Sequence, residues 1–139
     1  MKQMICTICG LVGSAVAWTS GMTTLLIFMT VDYISGLLVA GVFKQSNKTQ
    51  TGALESRAGW KGLCRKGMSL VFVLVAYRVD LAIGTDYIRD AVVIGFITNE
   101  LISIVENAGL MGIKLPAVII KSIDVLQQKT DKEGNANED

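Results

Sequence analysis

One stretch of the sequence limits the possible folds more than any other: from Met4 to Phe43, Asp32 is the one charged residue. A single helix over this stretch would be about 60 Å long, roughly twice the thickness of the hydrocarbon core of a bilayer. Because one straight span cannot use that length, we expect a break at Thr19-Ser20-Gly21. The stretch therefore predicts a short first helix over about 4–18 and a second helix over about 22–43.

Two later segments extend the membrane pattern. The segment Gly67 to Gly84 has about the minimum length for a span and carries Arg78 and Asp80. The segment Tyr87 to Asn107 is interrupted by a polar stripe that covers about a third of a helix circumference. We expect this stripe to face other helices or a pore, although in a soluble protein it would face water. The pattern predicts an all-α integral membrane protein with three to four transmembrane helices. The polar stripe consists of Asn99, Glu100, Ser103, Glu106 and Asn107.

The distribution of basic residues predicts the orientation. The segment 44–66 has six basic residues against one acidic residue, net +5, whereas the connection 85–90 has a net charge of −1. Because basic loops stay on the cytoplasmic side, we expect 44–66 to be cytoplasmic, and four crossings then make both termini cytoplasmic. If the first segment lies in the interface plane, three crossings remain and the N-terminus is outside. The topology-setting residues are Lys44, Lys48, Arg57, Lys61, Arg65 and Lys66.

The C-terminal part differs from the apolar segments. Residues 115–128 form an amphipathic pattern with Pro116 in the first turn, which predicts an interfacial or docking helix. Residues 129–139 are almost entirely polar, which predicts a disordered tail. We therefore expect one membrane domain over 1–128, followed by this tail.

The composition argues against several function classes. The chain has no His, which removes His-dependent triads, most zinc sites and the usual proton shuttle near neutral pH. No nucleophile and base occur at a usable spacing, so we expect neither an enzyme nor a cofactor or metal. The net charge of +1 and the lack of aromatic residues interleaved with the basic ones argue against nucleic-acid binding.

The N-terminal region and the cysteines allow competing interpretations. Lys2, the apolar run and Ala15-Val16-Ala17 could form a signal peptide, but the basic part is a single Lys and the apolar sequence soon resumes. Cys6 and Cys9 lie in an apolar helix without a partner pair, which favours small buried hydrophobic residues over a metal or redox site. Cys64, next to two basic residues, would be a somewhat reactive thiol.

Five short motifs occur in order over roughly Gly10 to Gln128, and none of them is specific alone. They are Asp32-Tyr33-Ile34-Ser35-Gly36, then Ser56-Arg57-Ala58-Gly59-Trp60-Lys61-Gly62 with Arg65-Lys66, then Asp80, then Asn99-Glu100-Leu101-Ile102-Ser103-Ile104-Val105-Glu106-Asn107, and Gly112-Ile113-Lys114-Leu115-Pro116. Together they resemble the toxin-secretion/phage-lysis holin family of bacteriophage holins. Arg78 departs from the pattern, where we expect an uncharged residue, and Cys6 and Cys9 belong to no family pattern.

The resemblance implies a phage-encoded, non-enzymatic protein of the host bacterial cytoplasmic (inner) membrane. Such holins accumulate harmlessly and then oligomerise abruptly into lesions through which an endolysin reaches the cell wall. Relatives export large toxins by a similar route. The implied partners are further copies of the chain, membrane lipids, and an endolysin with which no direct contact is required.

The depths of three charged residues in the bilayer predict an ion pair. Asp32 is 11 residues from Phe43, and Arg78 is 12 residues from Lys66. Both would lie about 16 to 18 Å from the cytoplasmic surface, and Glu100 reaches about the same level from the other face. Because an isolated charge there costs several kcal/mol, we expect Arg78 to pair with Asp32 or Glu100, within one subunit or between subunits. The alternative is that Arg78 extends to the interface and the acids are protonated.

Small residues at intervals of four predict helix packing. They are Gly13, Ala17 and Gly21, and later Gly36 and Ala40. Such spacing lets helix backbones approach closely, although it is also common by chance in apolar segments. Together with the polar stripe, it predicts a self-associating bundle. The candidate assembly residues within the membrane are Asp32, Ser35, Gly36, Arg78, Asp80 and the five residues of the polar stripe.

Two other function classes stay open from the sequence. A small proton-coupled cation or multidrug transporter would have a similar length and would use a membrane-embedded carboxylate such as Asp32 or Glu100. The amphipathic C-terminal helix and the polar stripe fit that class poorly. A membrane-anchored interaction protein would use residues 115–128 as its docking helix.

Overall fold

The structure, a computed structural model, describes residues 1–7 and 19–135, and the side chains of residues up to 132. Residues 2–7 are helical. The helices that follow are α1 (Ser20–Leu38), continued by a π-helical turn (Val39–Phe43), α2 (Ser56–Ile83), α3 (Ile88–Leu110) and α4 (Ala117–Asn135). These described residues contain no strand, so the all-α prediction is confirmed.

The helix boundaries correct several sequence predictions. The predicted first helix over 4–18 lies mostly outside the described residues, while α1 with its π-helical turn agrees closely with the predicted 22–43. Helix α2 begins at Ser56 rather than at residue 67, because the polar residues that precede the apolar segment are helical as well. The predicted basic loop 44–66 is therefore a loop only to Glu55, and four of its six basic residues lie on α2.

The C-terminal boundary also differs. Helix α4 continues to Asn135, so the predicted start of a disordered tail at residue 129 is wrong for 129–135. Polarity alone does not end a helix, because Gln, Lys and Glu are good helix formers and chain entropy is offset by packing elsewhere along the same helix. The four residues after Asn135 lie outside the described part of the chain.

Helices α1, α2 and α3 form a bundle in which α1 and α3 run parallel. A Cβ atom at Gly21 would lie 3.2 Å from Val93 Cγ1, and one at Gly36 would lie 3.8 Å from Asn107 Nδ2. Near the start of α1, Met22 and Leu25 share a core with Val73 from the second half of α2. Helix α2 is therefore antiparallel to the other two, and the bundle has the basic connection 44–55 at the same end as the α3–α4 connection.

The apolar core is small and lies at the end of the bundle that contains the start of α1. Its buried residues are Met22, Leu25, Met29, Val73, Val93 and Ile97. Leu25 and Val73 are fully buried. Toward the basic connection the bundle interior also contains buried polar side chains, and these form the candidate site.

Apolar side chains also cover the outside of the bundle. On α1 an exposed row repeats with helical spacing, and α2 carries a second row of the same kind. Among the described helices, only Ser20–Phe43 is both long and apolar enough to cross a membrane, with a mean hydropathy of 2.0. The count of three to four crossings stays a prediction. The two exposed rows are Ile27, Val31, Ile34 and Leu38 on α1, and Met68, Phe72, Val75 and Val79 on α2.

Helix α4 folds back along α3. Leu126 packs against the apolar core, and a Cβ atom at Gly95 would lie 3.9 Å from Thr130 Cγ2. Val118, Ile120 and Val125 on the same helix are exposed. Helix α4 thus packs on α3 within the chain, and its role as an interfacial or docking helix stays a prediction.

The basic connection is ordered by a tight turn. The amide of Ser46 donates to the carbonyl of Gly52 at 3.0 Å. Gly52 has φ +72°, and a Cβ atom there would lie 2.4 Å from the carbonyl oxygen of Lys44. This position needs glycine both for its backbone angle and for the close approach of the two chain segments.

Candidate functional site

A buried ion cluster joins the three helices of the bundle. Lys66 Nζ on α2 donates to Asp32 Oδ2 on α1 at 2.8 Å and also contacts Glu100 Oε2 on α3. The side chains of Asp32 and Glu100 are each 7% exposed, and that of Lys66 is 14% exposed. One ammonium group therefore neutralises two buried carboxylates only in part, which leaves a formal charge of −1.

Asn107 extends this cluster along the interface between α1 and α3. Its Nδ2 atom donates to Ser35 Oγ at 2.8 Å and to Asp32 Oδ1 at 3.1 Å. Ser35 Oγ in turn donates to the carbonyl of Asp32 at 3.0 Å. Each of these polar groups is buried and has a partner, as burial of a polar group in an apolar interior requires. Together these five residues form the polar core: Lys66, Asp32, Glu100, Asn107 and Ser35.

Within one chain Arg78 does not pair with Asp32 or Glu100, and its pairing between subunits stays a prediction. Arg78 is exposed, it makes no ion pair within the described residues, and Lys66 takes the predicted place. Depth counted from Lys66 as the membrane surface is misleading, because α2 begins at Ser56, ten residues before Lys66. Measured from that start, Lys66 lies about 15 Å along the helix and Arg78 about 33 Å.

The polar stripe of α3 divides into three parts. Glu100 and Asn107 are buried in the polar core. Asn99 and Ser103 line a cavity between the helices. Glu106 is exposed. The stripe thus faces α1, α2 and the cavity over most of its length.

The cavity next to the polar core has a volume of about 530 Å³. It lies at the end of the bundle that carries the basic connection. Five basic and three acidic side chains line it, for a formal net charge of +2. Its basic residues are Lys48, Arg57, Lys61, Arg65 and Lys66, and its acidic residues are Asp32, Glu55 and Glu100.

Asp80 has a structural role at the other end of the bundle. Its Oδ1 atom accepts from Thr85 Oγ1 at 2.6 Å and from the amide of Ile88 at 3.0 Å. Its Oδ2 atom accepts from the amide of Arg89 at 2.8 Å. Amide groups in the first turn of a helix have no partner within the helix, so Asp80 caps α3 from the preceding helix. Sequence reasoning assigned Asp80 to assembly, whereas its contacts hold the α2–α3 turn.

The small residues fall partly outside the described residues. Gly13 and Ala17 lie there, as does Cys9. Gly21 and Gly36 lie at the α1–α3 interface, and Ala40 is buried in the π-helical turn. Within one chain these positions pack helices together, and no contact with a second copy follows from them. Cys6 is exposed rather than buried, and Cys64 is also exposed with a free thiol.

The bundle, its exposed apolar rows and the long apolar α1 define a helical membrane protein. The sequence model of the bacteriophage holin family matches residues 9–128. The chain belongs to the bacteriophage holin family, which confirms the resemblance seen in its motifs.

Several relatives extend this match. An uncharacterized protein of Listeria innocua is 40% identical over 110 residues, which are 78% of this chain and 73% of that protein. A protein of Bacillus phage phi105 described as a probable holin is 34% identical over 117 residues, 81% of each chain. An uncharacterized 14.9 kDa protein of Clostridium perfringens is 32% identical over 115 residues, again 81% of each chain. No solved structure matches the chain significantly.

Lys66 is the functional candidate that sequence reasoning misjudged. The sequence pattern places it only in the basic loop, because it stands next to Arg65 and before the apolar segment. The signal was present in the helical spacing: Arg57, Lys61 and Arg65 follow an i, i+4, i+8 row, and Lys66 lies off this row. A basic residue off the exposed row of its helix is a candidate for an internal ion pair.

Proposed function

We propose that this protein is a holin that assembles in the host cytoplasmic membrane into lesions, through which an endolysin leaves the cytoplasm. The observation that carries this proposal is the polar core, in which the charged and amide groups of three helices satisfy one another inside the bundle. Membership of the bacteriophage holin family supports it. The proposed activity is non-enzymatic, and it needs further copies of the chain but no direct contact with the endolysin.

The polar core accounts for a quiet state before lysis. A chain with its polar groups paired inside and apolar rows outside can be inserted without an open water path, because unpaired charges within a bilayer are costly. In the lesion, the same polar surfaces of α3 separate from α1 and α2 and line water between subunits. The polar groups shift from contacts within one chain to contacts with water between subunits. Oligomerisation drives this shift if the second arrangement packs better against neighbouring copies than the first.

The proposed topology has α1, α2 and α3 as crossings, with the predicted segment 4–18 as a fourth. The basic connection 44–55 and the first turns of α2 are cytoplasmic, because they carry the excess of Lys and Arg. The parallel arrangement of α1 and α3 is compatible with this topology, since the chain then passes inward through α1, outward through α2 and inward through α3. The C-terminus is cytoplasmic.

Helix α4 leaves its docked position when the chain enters a membrane. It carries charged residues along its length, among them Lys121, Asp124 and Lys129. A docked α4 would hold these side chains beside a membrane-spanning α3, at a cost of several kcal/mol. In the membrane we therefore expect α4 to lie at the cytoplasmic surface with its apolar side in the interface.

Two engineered disulfides test this arrangement, in a chain whose native cysteines are replaced by serine. The pair G21C/V93C joins α1 to α3, and the pair G95C/T130C joins α3 to α4, because each glycine lies in side-chain contact with its partner. In membranes we expect the first pair to form a disulfide and the second pair to stay reduced. Efficient oxidation of both pairs would mean that α4 stays along α3 and would contradict the proposed crossing of α3.

Lysis timing tests the role of the polar stripe. The chain and a phage endolysin are expressed together, and the time to lysis is measured for E100L and S103L. We expect both variants to change the lysis time, because each removes a polar group from a surface that must become water-lined. Ile104→Leu is the matched control, since it changes an apolar position of the same helix and should keep the normal time. Lysis at the normal time in both E100L and S103L would refute the proposed use of this stripe.

A further inference from the structure

The cavity beside the polar core carries basic residues that take no part in the ion cluster. Four of its basic residues, Lys48, Arg57, Lys61 and Arg65, have no acidic partner within the part of the chain that the structure describes. The remaining acid on the cavity wall, Glu55, accepts a hydrogen bond from Thr51 at 3.3 Å. Four unpaired cations around one cavity repel one another, and an anion placed among them would remove that repulsion.

Three of these cations form one row on α2. Arg57, Lys61 and Arg65 are spaced by four residues, so they lie on one side of the helix over a length of about 12 Å. Lys48 comes from the connection before α2, and so from a different segment of the wall. The cavity therefore presents positive charge from two segments, as a site for a multivalent oxyanion requires.

The backbone and the neutral side chains of the wall suit the same ligand. The first turn of α2 lines the cavity through Arg57 and Ala58, and no side chain caps this helix start. Free amide groups at a helix start attract anions, and phosphate groups bind there in many proteins. Asn99 and Ser103 line the opposite wall and make no side-chain hydrogen bond to any described residue. Both can donate to a phosphate oxygen.

The surroundings of the cavity indicate where the phosphate comes from. Trp60, next to Lys61, is 67% exposed, and Leu54 and Leu63 are also exposed. Tryptophan is enriched at the level of lipid headgroups. A cleft of about 80 Å³ shares Lys48, Gly62 and Lys66 with the cavity wall, and its apolar side is formed by Leu37, Ala40 and Leu54. An apolar surface beside a cationic cavity fits an amphiphile better than a free ion.

We propose that this cavity binds the phosphate headgroup of an anionic phospholipid of the cytoplasmic leaflet, with phosphatidylglycerol as the model ligand. The headgroup phosphate lies between the row on α2 and Lys48. The site ties the polar core to lipid composition, because Lys66 and Glu100 belong to both the cavity wall and the ion cluster. The proposal does not depend on lesion formation, since it concerns binding by the chain with its polar core intact.

Binding is measured on the full chain in an uncharged detergent, by the fluorescence of Trp60 in a W18F background. The titrants are short-chain phosphatidylglycerol, short-chain phosphatidylcholine and inorganic phosphate. We expect saturable binding of phosphatidylglycerol, with at least tenfold weaker binding of the other two. Equal binding of phosphatidylcholine would overturn the anion site. Inorganic phosphate that binds as tightly as phosphatidylglycerol would overturn the lipid source and assign the cavity to free phosphate.

A matched pair of variants locates the site. K61Q/R65Q removes two cations of the cavity, and K114Q/K121Q removes two exposed cations that do not line it. At about fivefold per basic residue, we expect about 25-fold weaker binding of phosphatidylglycerol by the first variant and less than a twofold change in the second. Equal losses in both variants would overturn the proposal.

Smaller changes guard against misfolding of the double variant. Circular dichroism reports the helix content of each protein. R57Q removes one exposed cation at the start of α2 and should weaken binding about fivefold, and R65K keeps the charge and should stay within threefold of the native chain. Unchanged binding in R57Q, with native helix content, would contradict the proposed site.

Discussion

Removal of the Lys66 ammonium group should destabilise the bundle more than any other single change of a charge. In K66M the side chain keeps a similar length and loses its charge, while Asp32 and Glu100 stay buried without a cation. Both carboxylates contact the same nitrogen atom in the native chain. The substitution therefore leaves two like charges side by side in the interior.

The structure sets the size of the effect. The two carboxylates lie within about 6 Å of each other, and at an effective dielectric constant of about 20 two such charges repel by about 3 kcal/mol. Loss of one partner from a buried ion pair typically costs about 3 to 5 kcal/mol, because the remaining charge is left uncompensated. We expect K66M to lower the free energy of unfolding by that amount. The triple variant D32N/K66M/E100Q, which has no charge left in the cluster, should recover most of the loss.

Unfolding of the purified full chain in detergent, followed by circular dichroism, measures this change. Arg78→Met is the matched control, because Arg78 is exposed and makes no ion pair among the described residues, and its effect should stay within about 0.5 kcal/mol. A K66M protein as stable as the Arg78→Met protein would refute the ion cluster. Larger destabilisation by Arg78→Met than by K66M would instead support the pairing predicted from depth alone.

Two further changes test the connections of the bundle by the same unfolding measurement. D80N should lower the free energy of unfolding by about 2 kcal/mol, because the amide has one acceptor oxygen in place of the two carboxylate oxygens that accept from Thr85, Ile88 and Arg89. The exposed D86N should be neutral, and equal effects of the two substitutions would contradict the capping role. G52A should lower the free energy of unfolding by about 1 to 3 kcal/mol, because Gly52 has a positive φ and a Cβ atom there would clash with the Lys44 carbonyl oxygen. G62A changes an open helical position and should be neutral or slightly stabilising. A neutral G52A would show that the turn relaxes freely.

Much of the fold could be predicted because hydropathy and helical period act locally. The π-helical turn ends at Phe43, as the apolar stretch predicts, since the next residue is charged. The polar stripe of α3 was visible because five polar residues share one side of a helix. Local patterns of this kind need no knowledge of the neighbouring helices.

The ion cluster could not be predicted, because it depends on where one helix begins. Hydropathy finds the apolar part of α2, and the eleven helical residues before Gly67 carry no hydropathy signal. Depth counted from Lys66 rather than from Ser56 then favours Arg78 over Lys66 as the residue at mid-membrane. The capping role of Asp80 was missed for a related reason, since it depends on the tight approach of α2 to the start of α3.

We propose that this protein alone opens the membrane to macromolecules. The most direct test expresses the chain without an endolysin in a bacterium and follows the membrane potential together with release of a folded cytoplasmic reporter enzyme. We predict a delay, then a sudden collapse of the potential with release of the enzyme. Collapse without enzyme release would mean a small ion-conducting pore and would contradict the lesion. A stable potential with saturable, proton-coupled cation flux would assign the buried carboxylates to transport instead.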